Sequence, residues 1–317
     1  MGFEKDARPP RRSVETNALP AQRAGGNKIV RTCVMASVDS RTELNQAWWN
    51  ERAGLHRQTR FYQKHIARLT RGGLSLLPLE VGELGDIRGL NVLHLQCHIG
   101  TDTLSLSRLG ATVTGVDFSA VAIQEARQLS LDLGIPATFE QCEITSLKSR
   151  YAEAFDLVFT SHGVLSWLPD LKEWARQISG CLVPGGQFYL SESHPLVWAL
   201  AEESPVQETS LSLGFPYLAQ DQPGTFVDTG SYADRELPTQ ANETTQWSWS
   251  LGDVVNAFIT AGMTINHLHE HAAGFYPVTP EFQEGADGHY RLPDPLDGRF
   301  PLTFTIRATQ PCGVQGP

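Results

Sequence analysis

The residues of this chain best suited to chemistry lie in one turn and at the ends of a few apolar runs. The turn, Gln96-Cys97-His98-Ile99-Gly100-Thr101-Asp102, follows the apolar run Asn91 to Cys97 (NVLHLQC). A dinucleotide fingerprint places glycines where the backbone meets a pyrophosphate. Here only Gly100 is available, and the side chains of Gln96 and His98 would crowd a diphosphate. A nucleoside bearing an amino-acid arm instead of phosphates tolerates such a turn better. Asp117, 17 residues after Gly100 at the end of the next apolar run, suits a carboxylate that accepts both ribose hydroxyls. These residues therefore favour an adenosine ligand with a short, non-phosphate arm. Of the ten histidines, only His162 and His194 directly follow predicted strands on the same edge, and Glu192 stands two residues before His194. An imidazole titrating near neutral pH suits a general base.

Such residues must be held at one edge of a sheet, and the alternation of short β-type runs with helical ones from Asn91 to Phe188 supplies it. Strands are predicted at Asn91–Cys97, Thr112–Phe118, Ala137–Cys142, Phe155–Thr160 and Gln187–Glu192. Helices are predicted at Thr101–Leu109, stopped by Gly110, and after Ser119, where Ala122, Ala126, Leu129 and Leu133 recur at helical spacing. A further helix spans Asp170 to Leu182, with Asp170 and Glu173 spaced as a capping box. Ser250 caps a late helix whose stripe is Leu251, Val254, Val255, Phe258 and Ile259, and Met263–His269 and Leu302–Ala308 read as the last two strands. The fold class is α/β, a doubly wound sheet of seven strands, whose ligands lie beyond the carboxyl ends of the strands.

Other segments frame this core. Residues 1–34 carry a net charge of +4, paired prolines and no apolar periodicity, so a disordered extension through about residue 40 is expected. Met35 offers an alternative start. A helical cap is expected over 41–90, rich in aromatics, in which adjacent Trp48 and Trp49 cannot both enter one core, so one of them should face a ligand or a cap. The core then covers 91–194, an inserted lid 195–249, and a closing helix with strands 250–317.

Composition narrows the partners. The chain is 41% hydrophobic and 19% charged, an ordinary globular balance. Its formal charge of −10 repels a phosphate backbone, so nucleic acid is not expected as a partner. No apolar run reaches the roughly 20 residues of a spanning helix, so no membrane partner is expected either. Five scattered cysteines without a C-x-x-C pair suggest free thiols in a reducing compartment, read as the cytoplasm. No Asp, Glu and His cluster stands at metal spacing, and no metal is expected.

The run Val92 to Leu104 (VLHLQCHIGTDTL) also resembles the glycine-rich motif of class I S-adenosylmethionine-dependent methyltransferases, in the variant L-Q-C-H-x-G-x-D-T-L of a bacterial small-molecule branch. Val113–Ser119 (VTGVDFS), Phe155–Val158, Leu165–Trp174, Leu182–Gly186, Glu192–Pro195 and Ser250–Gly262 extend the likeness. The resemblance implies a Rossmann-like methyltransferase fold with its last strand antiparallel, and S-adenosylmethionine as cofactor with S-adenosylhomocysteine as product. Gln96, Cys97 and Gly100 would then line the methionine arm, Asp117 would hold the ribose, and Phe118 would lie against the adenine. Cys142, Glu143 and Ile144 would serve the adenine edge, and Thr160 the sulfonium side. The acceptor, a small molecule methylated at O or N, would meet walls formed by Trp48, Trp49, Tyr62, Trp198 and Trp249. His162 is the first candidate base, then Glu192 and His194. Two departures stand out: His94 replaces the acid and Gln96 and His98 two of the three glycines of the common D-x-G-x-G-x-G form, and Trp249 replaces a histidine of the branch's W-x-H-S-L-G. A binding protein of the same fold without turnover, and a nicotinamide oxidoreductase, are the competing readings.

Overall fold

A computed structural model describes residues 38–200, 212–218, 222–277 and 282–312; the predicted extension over 1–34 lies outside them. In chain order the elements begin with helices α1 (Val38–His56), α2 (Arg60–Thr70) and α3 (Pro78–Leu84). The alternating core follows: β1 (Asn91–Leu95), α4 (Thr101–Arg108), β2 (Thr112–Asp117), α5 (Ala120–Leu133), β3 (Thr138–Gln141), α6 (Leu147–Arg150), β4 (Phe155–Ser161), α7 (Leu171–Cys181) and β5 (Leu182–Ser193). Next come α8 (Pro195–Trp198) and the pair β6 (Gly224–Val227) and β7 (Glu243–Gln246). The chain closes with α9 (Leu251–Thr260), β8 (Thr264–His271), β9 (Gln283–Glu284), β10 (Tyr290–Arg291) and β11 (Thr303–Thr309).

Seven strands form one sheet in the order β3-β2-β1-β4-β5-β11-β8. The first five are parallel, while β11 runs antiparallel to both β5 and β8. Strand order reverses between β1 and β4, so the carboxyl ends of these two strands open the crevice that doubly wound sheets use for ligands.

Side-chain alternation divides the sheet into two faces. Leu93, Leu95, Val158, Phe188, Leu190, Phe304 and Ile306 pack against Trp174 and Ile178 of α7 and Val254 and Phe258 of α9. Each such side chain contributes about 1.5–3 kcal/mol when fully buried. The opposite face places Val92, Val113, Leu157, Phe159 and Tyr189 under Leu84, Ile87 and Leu106. Cys97, Leu104, Ala126 and Phe139 form a third cluster with Leu69 of α2.

Caps set the helix starts largely as the sequence suggests. Ser119 Oγ accepts the Ala122 N–H at 3.0 Å, and Ser250 forms a reciprocal box with Asp253. At Asp170 the box is only half formed. Its carboxylate accepts the Lys172 and Glu173 amides, but Glu173 turns to Arg176 and Gln177 instead of reaching back. Ile259, assigned to the apolar stripe of α9, is 57% exposed, and Ala257 takes its place in the core.

Candidate active site

The turn after β1 keeps a glycine-rich backbone with few glycines. Gln96 and His98 have φ of 48° and 50°, and Gly100 has φ of 79°. A left-handed conformation costs a non-glycine residue roughly 1–2 kcal/mol. Among the described residues only four non-glycines adopt it, and three of them, Gln96, His98 and His162, line a single cavity. Side chains kept at strained positions point to a role for those side chains.

That cavity measures about 1590 Å³ and opens beyond the carboxyl ends of β1, β2 and β4. On its floor Asp117 is 7% exposed, with Oδ2 accepting the His98 N–H at 2.9 Å and Oδ1 the Ser119 N–H at 2.8 Å. Burial pushes its carboxyl up to about 6 against these backbone bonds, with the charge of Glu143 adding to the rise. Each oxygen retains a lone pair for a further donor. Gln96, which lines the same cavity, has its Oε1 buried without a hydrogen-bond partner among the described residues.

The far wall is built around His162. Its Nε2 lies 2.7 Å from Glu80 Oε1, and its ring leans on Phe275 with centroids 3.5 Å apart. Burial lowers the imidazole pKa, but the charges of Glu80, Asp102 and Glu192 outweigh it and raise the value above 6.5. Glu80 is wholly buried, also accepting the Ser191 hydroxyl at 3.1 Å and the Leu77 N–H at 2.6 Å. Asp102 accepts from Ser75 at 2.6 Å and from Ser161 at 3.1 Å. Burial would raise its carboxyl, yet the surrounding histidines and Ser75 hold it below the usual range.

Aromatic groups close the remaining sides. Trp48 and Trp49 both line the cavity, edge to face with centroids 5.0 Å apart, and Trp167 meets them at 5.4 and 5.2 Å. Arg52 sits 3.8 Å over the Trp48 ring on the protein side. Tyr62 bonds hydroxyl to hydroxyl with Tyr232, and His56 bridges His98 at 2.8 Å and Ser231 at 2.9 Å. Burial pushes His98 down to about 3, so this pair is neutral at physiological pH. Trp249 lines the cavity with its indole N–H on the Leu168 carbonyl at 3.0 Å, and Trp198 stands at the rim, 44% exposed.

Several sequence-selected residues lie elsewhere. Gly100 faces the protein, where a Cβ would stand 2.7 Å from the Phe139 ring. Cys142, Glu143 and Ile144 follow β3, outside the cavity wall; the Cys142 N–H bonds the Asp117 carbonyl and its side chain joins the core. Thr160 points to the α7 face by strand alternation, and its neighbour Ser161 lines the cavity instead. Glu192 is no free base. Its carboxylate accepts the amides of Gly163, Val164, Leu165 and Ser193, so it holds the loop that presents His162. His194 is 2% exposed, caps α8 through Nδ1 and lies 2.9 Å from Glu270; its neighbours Ser193 and Pro195 line the cavity and it does not. Sequence reasoning placed Ser161 only within the span 160–163 beside the sulfonium, and gave no site role to Glu80, Asp102, Tyr232 or Trp167. Asp102 and Trp167 stood in quoted motifs, whereas Glu80 and Tyr232 are brought to the site by tertiary contacts.

The fold is the Rossmann-like methyltransferase fold, and residues 92–186 match the family described as a methyltransferase domain. A crystal structure of an S-adenosylmethionine-dependent methyltransferase from Mesorhizobium loti superposes with a TM-score of 0.53 at 21% identity, covering 73% of this chain and 96% of that one. The 1,6-didemethyltoxoflavin-N1-methyltransferase of Burkholderia thailandensis, solved with 1,6-didemethyltoxoflavin and S-adenosylhomocysteine, has a TM-score of 0.51 at 14% identity, covering 89% and 95%. In sequence, the ubiquinone biosynthesis O-methyltransferase of Photorhabdus laumondii is 35% identical over 107 residues, 34% of this chain and 44% of that protein. The chain spans about half the length of the curated relatives it matches. Among the described residues no helix is long and apolar enough to cross a membrane, and the four described cysteines are free.

Proposed function

We propose that this chain is an S-adenosylmethionine-dependent methyltransferase acting at an O or N atom of a small molecule, of the bacterial branch with the L-Q-C-H-x-G-x-D-T-L motif. The observation that carries it is the left-handed pair Gln96 and His98 beside buried Asp117, a glycine-type nucleoside turn built from side chains. The residues fit the cofactor. Asp117 has lone pairs left for ribose hydroxyls, Gln96 has a buried unmet acceptor for the amino-acid arm, and Phe118 lines the same wall. Carboxylates and aromatic faces around the cavity suit a cationic ligand.

When bound, S-adenosylmethionine supplies an electrophilic methyl group on a sulfonium. The chain's own part is to align an acceptor atom, exclude water and remove a proton. His162 is the proton acceptor: Glu80 fixes Nε2, which leaves Nδ1 for the acceptor's O–H or N–H. Trp49, Trp167 and Tyr232 wall a volume fitted to a small acceptor. Free thiols accord with a reducing, cytoplasmic setting.

Calorimetric titration with S-adenosylmethionine, S-adenosylhomocysteine and NADH tests the reading. Micromolar binding of the first two alone is expected, and Asp117→Ala should weaken it at least about tenfold while the fold persists. Binding of NADH alone, or silence from all three, would overturn it.

A further inference from the structure

The edge strand β8 carries His267, His269 and His271 at alternate positions, which puts all three on one side of the strand. His267 and His269 stack in parallel, with centroids 4.2 Å apart. Opposite them is Glu83 of α3, whose Oε1 lies 2.8 Å from His269 Nδ1 and 3.7 Å from His271 Nε2. One donor atom from each of Glu83, His269 and His271 falls within 4.8 Å of the others. None of the three lines the large cavity.

We propose that Glu83, His269 and His271 form a binding site for a divalent transition metal of the zinc type, independent of the methyl-transfer reading. Two imidazoles and one carboxylate suit zinc, cobalt or nickel, whereas calcium and magnesium select oxygen. Tetrahedral bonds of about 2.0–2.1 Å separate neighbouring donors by roughly 3.3 Å. The observed 2.8 and 3.7 Å to Glu83 bracket that spacing, and the two imidazole donors lie within 4.8 Å of each other, so closure asks the side chains to draw together without moving the backbone. His269 is 51% exposed and free to adjust. The outer contacts of a metal site are also present. Tyr189 donates its hydroxyl to Glu83 Oε2 at 2.9 Å, the oxygen turned away from the histidines, while Thr305 Oγ1, 3.3 Å from His271 Nε2, would give that nitrogen up to the ion. Arg307, held by the Glu83 and Leu84 carbonyls, adds positive charge nearby and favours moderate over extreme affinity. Three protein ligands leave a fourth position to water. The ion would staple the sheet edge to α3.

The test uses the full chain without a polyhistidine tag, stripped by chelator and titrated calorimetrically with Zn²⁺. Co²⁺ substitution provides visible bands that report imidazole ligation. One ion per chain at micromolar affinity is expected, with affinity lost at least about tenfold in His269→Ala and in His271→Ala. Both variants alter partly exposed side chains, and circular dichroism checks that they fold. Zn²⁺ should raise the melting temperature of the wild type and of neither variant. Absent or only millimolar binding by the wild type, or binding that both variants retain, would overturn the assignment.

Discussion

Glu80 and Glu83 sit one turn apart on the same short helix, and each meets a histidine, His162 just past β4 and His269 within β8, yet the two pairs are suited to different work. Glu80 is wholly buried and fixes His162 against the cavity, whereas the Glu83 pair lies at the sheet edge with His269 half exposed. The buried carboxylate has three protein donors or partners and no access to solvent, so it orients an imidazole and raises its pKa. The edge carboxylate meets histidines open to water, where an ion can enter. The same residue pairing thus suits either the proposed base or the proposed ligand set according to how far it is buried.

Three experiments would break or sharpen this contrast. The largest effect is expected from His162→Ala, which should lower turnover about 10²–10⁴-fold on a hydroxyl acceptor while cofactor affinity stays within about twofold. A near wild-type rate with full cofactor binding would remove His162 from the base role. Stability should separate the two carboxylate pairs next. Glu80→Ala strands His162 and Ser191 inside the protein, and denaturant unfolding should show a loss of about 3–5 kcal/mol. Removing the exposed edge partner with His269→Ala should cost less than about 1 kcal/mol. Equal losses would mean that burial does not distinguish the pairs. The smallest effect is a shift in pH dependence. A raised pKa keeps His162 protonated to higher pH, so kcat should rise with pH along a limb above 6.5. Glu80→Gln removes the adjacent negative charge and should move that limb to lower pH. A limb that stays in place would show that Glu80 does not tune the imidazole.

Much of the frame was legible in sequence because it follows local rules. Strand runs, Ser119 and Ser250 caps and the position of Asp117 at a strand end all depend on residues a few places apart. The sequence ranked His162 ahead of Glu192 and His194 as candidate bases, but strand ends alone do not show what each side chain meets. Alternation turns Glu192 away from the α3 side, and the neighbouring amides of 163–165 claim its oxygens. His194 is likewise used as a helix cap. The missing glycines of the turn read as a departure, whereas the structure shows Gln96 and His98 themselves in the left-handed conformation that glycine favours.

The sequence by itself therefore determined a doubly wound sheet and the edge at which a nucleoside would bind, since periodicity and strand ends are encoded within single elements. Only the tertiary structure decided which charged groups meet. Glu80 lies 82 residues from His162, and Glu83 lies 186 from His269. No local spacing records such pairings; they exist because α3 packs on the face of the sheet formed by Val92, Leu157 and Tyr189 and brings its two acidic residues to two different histidines.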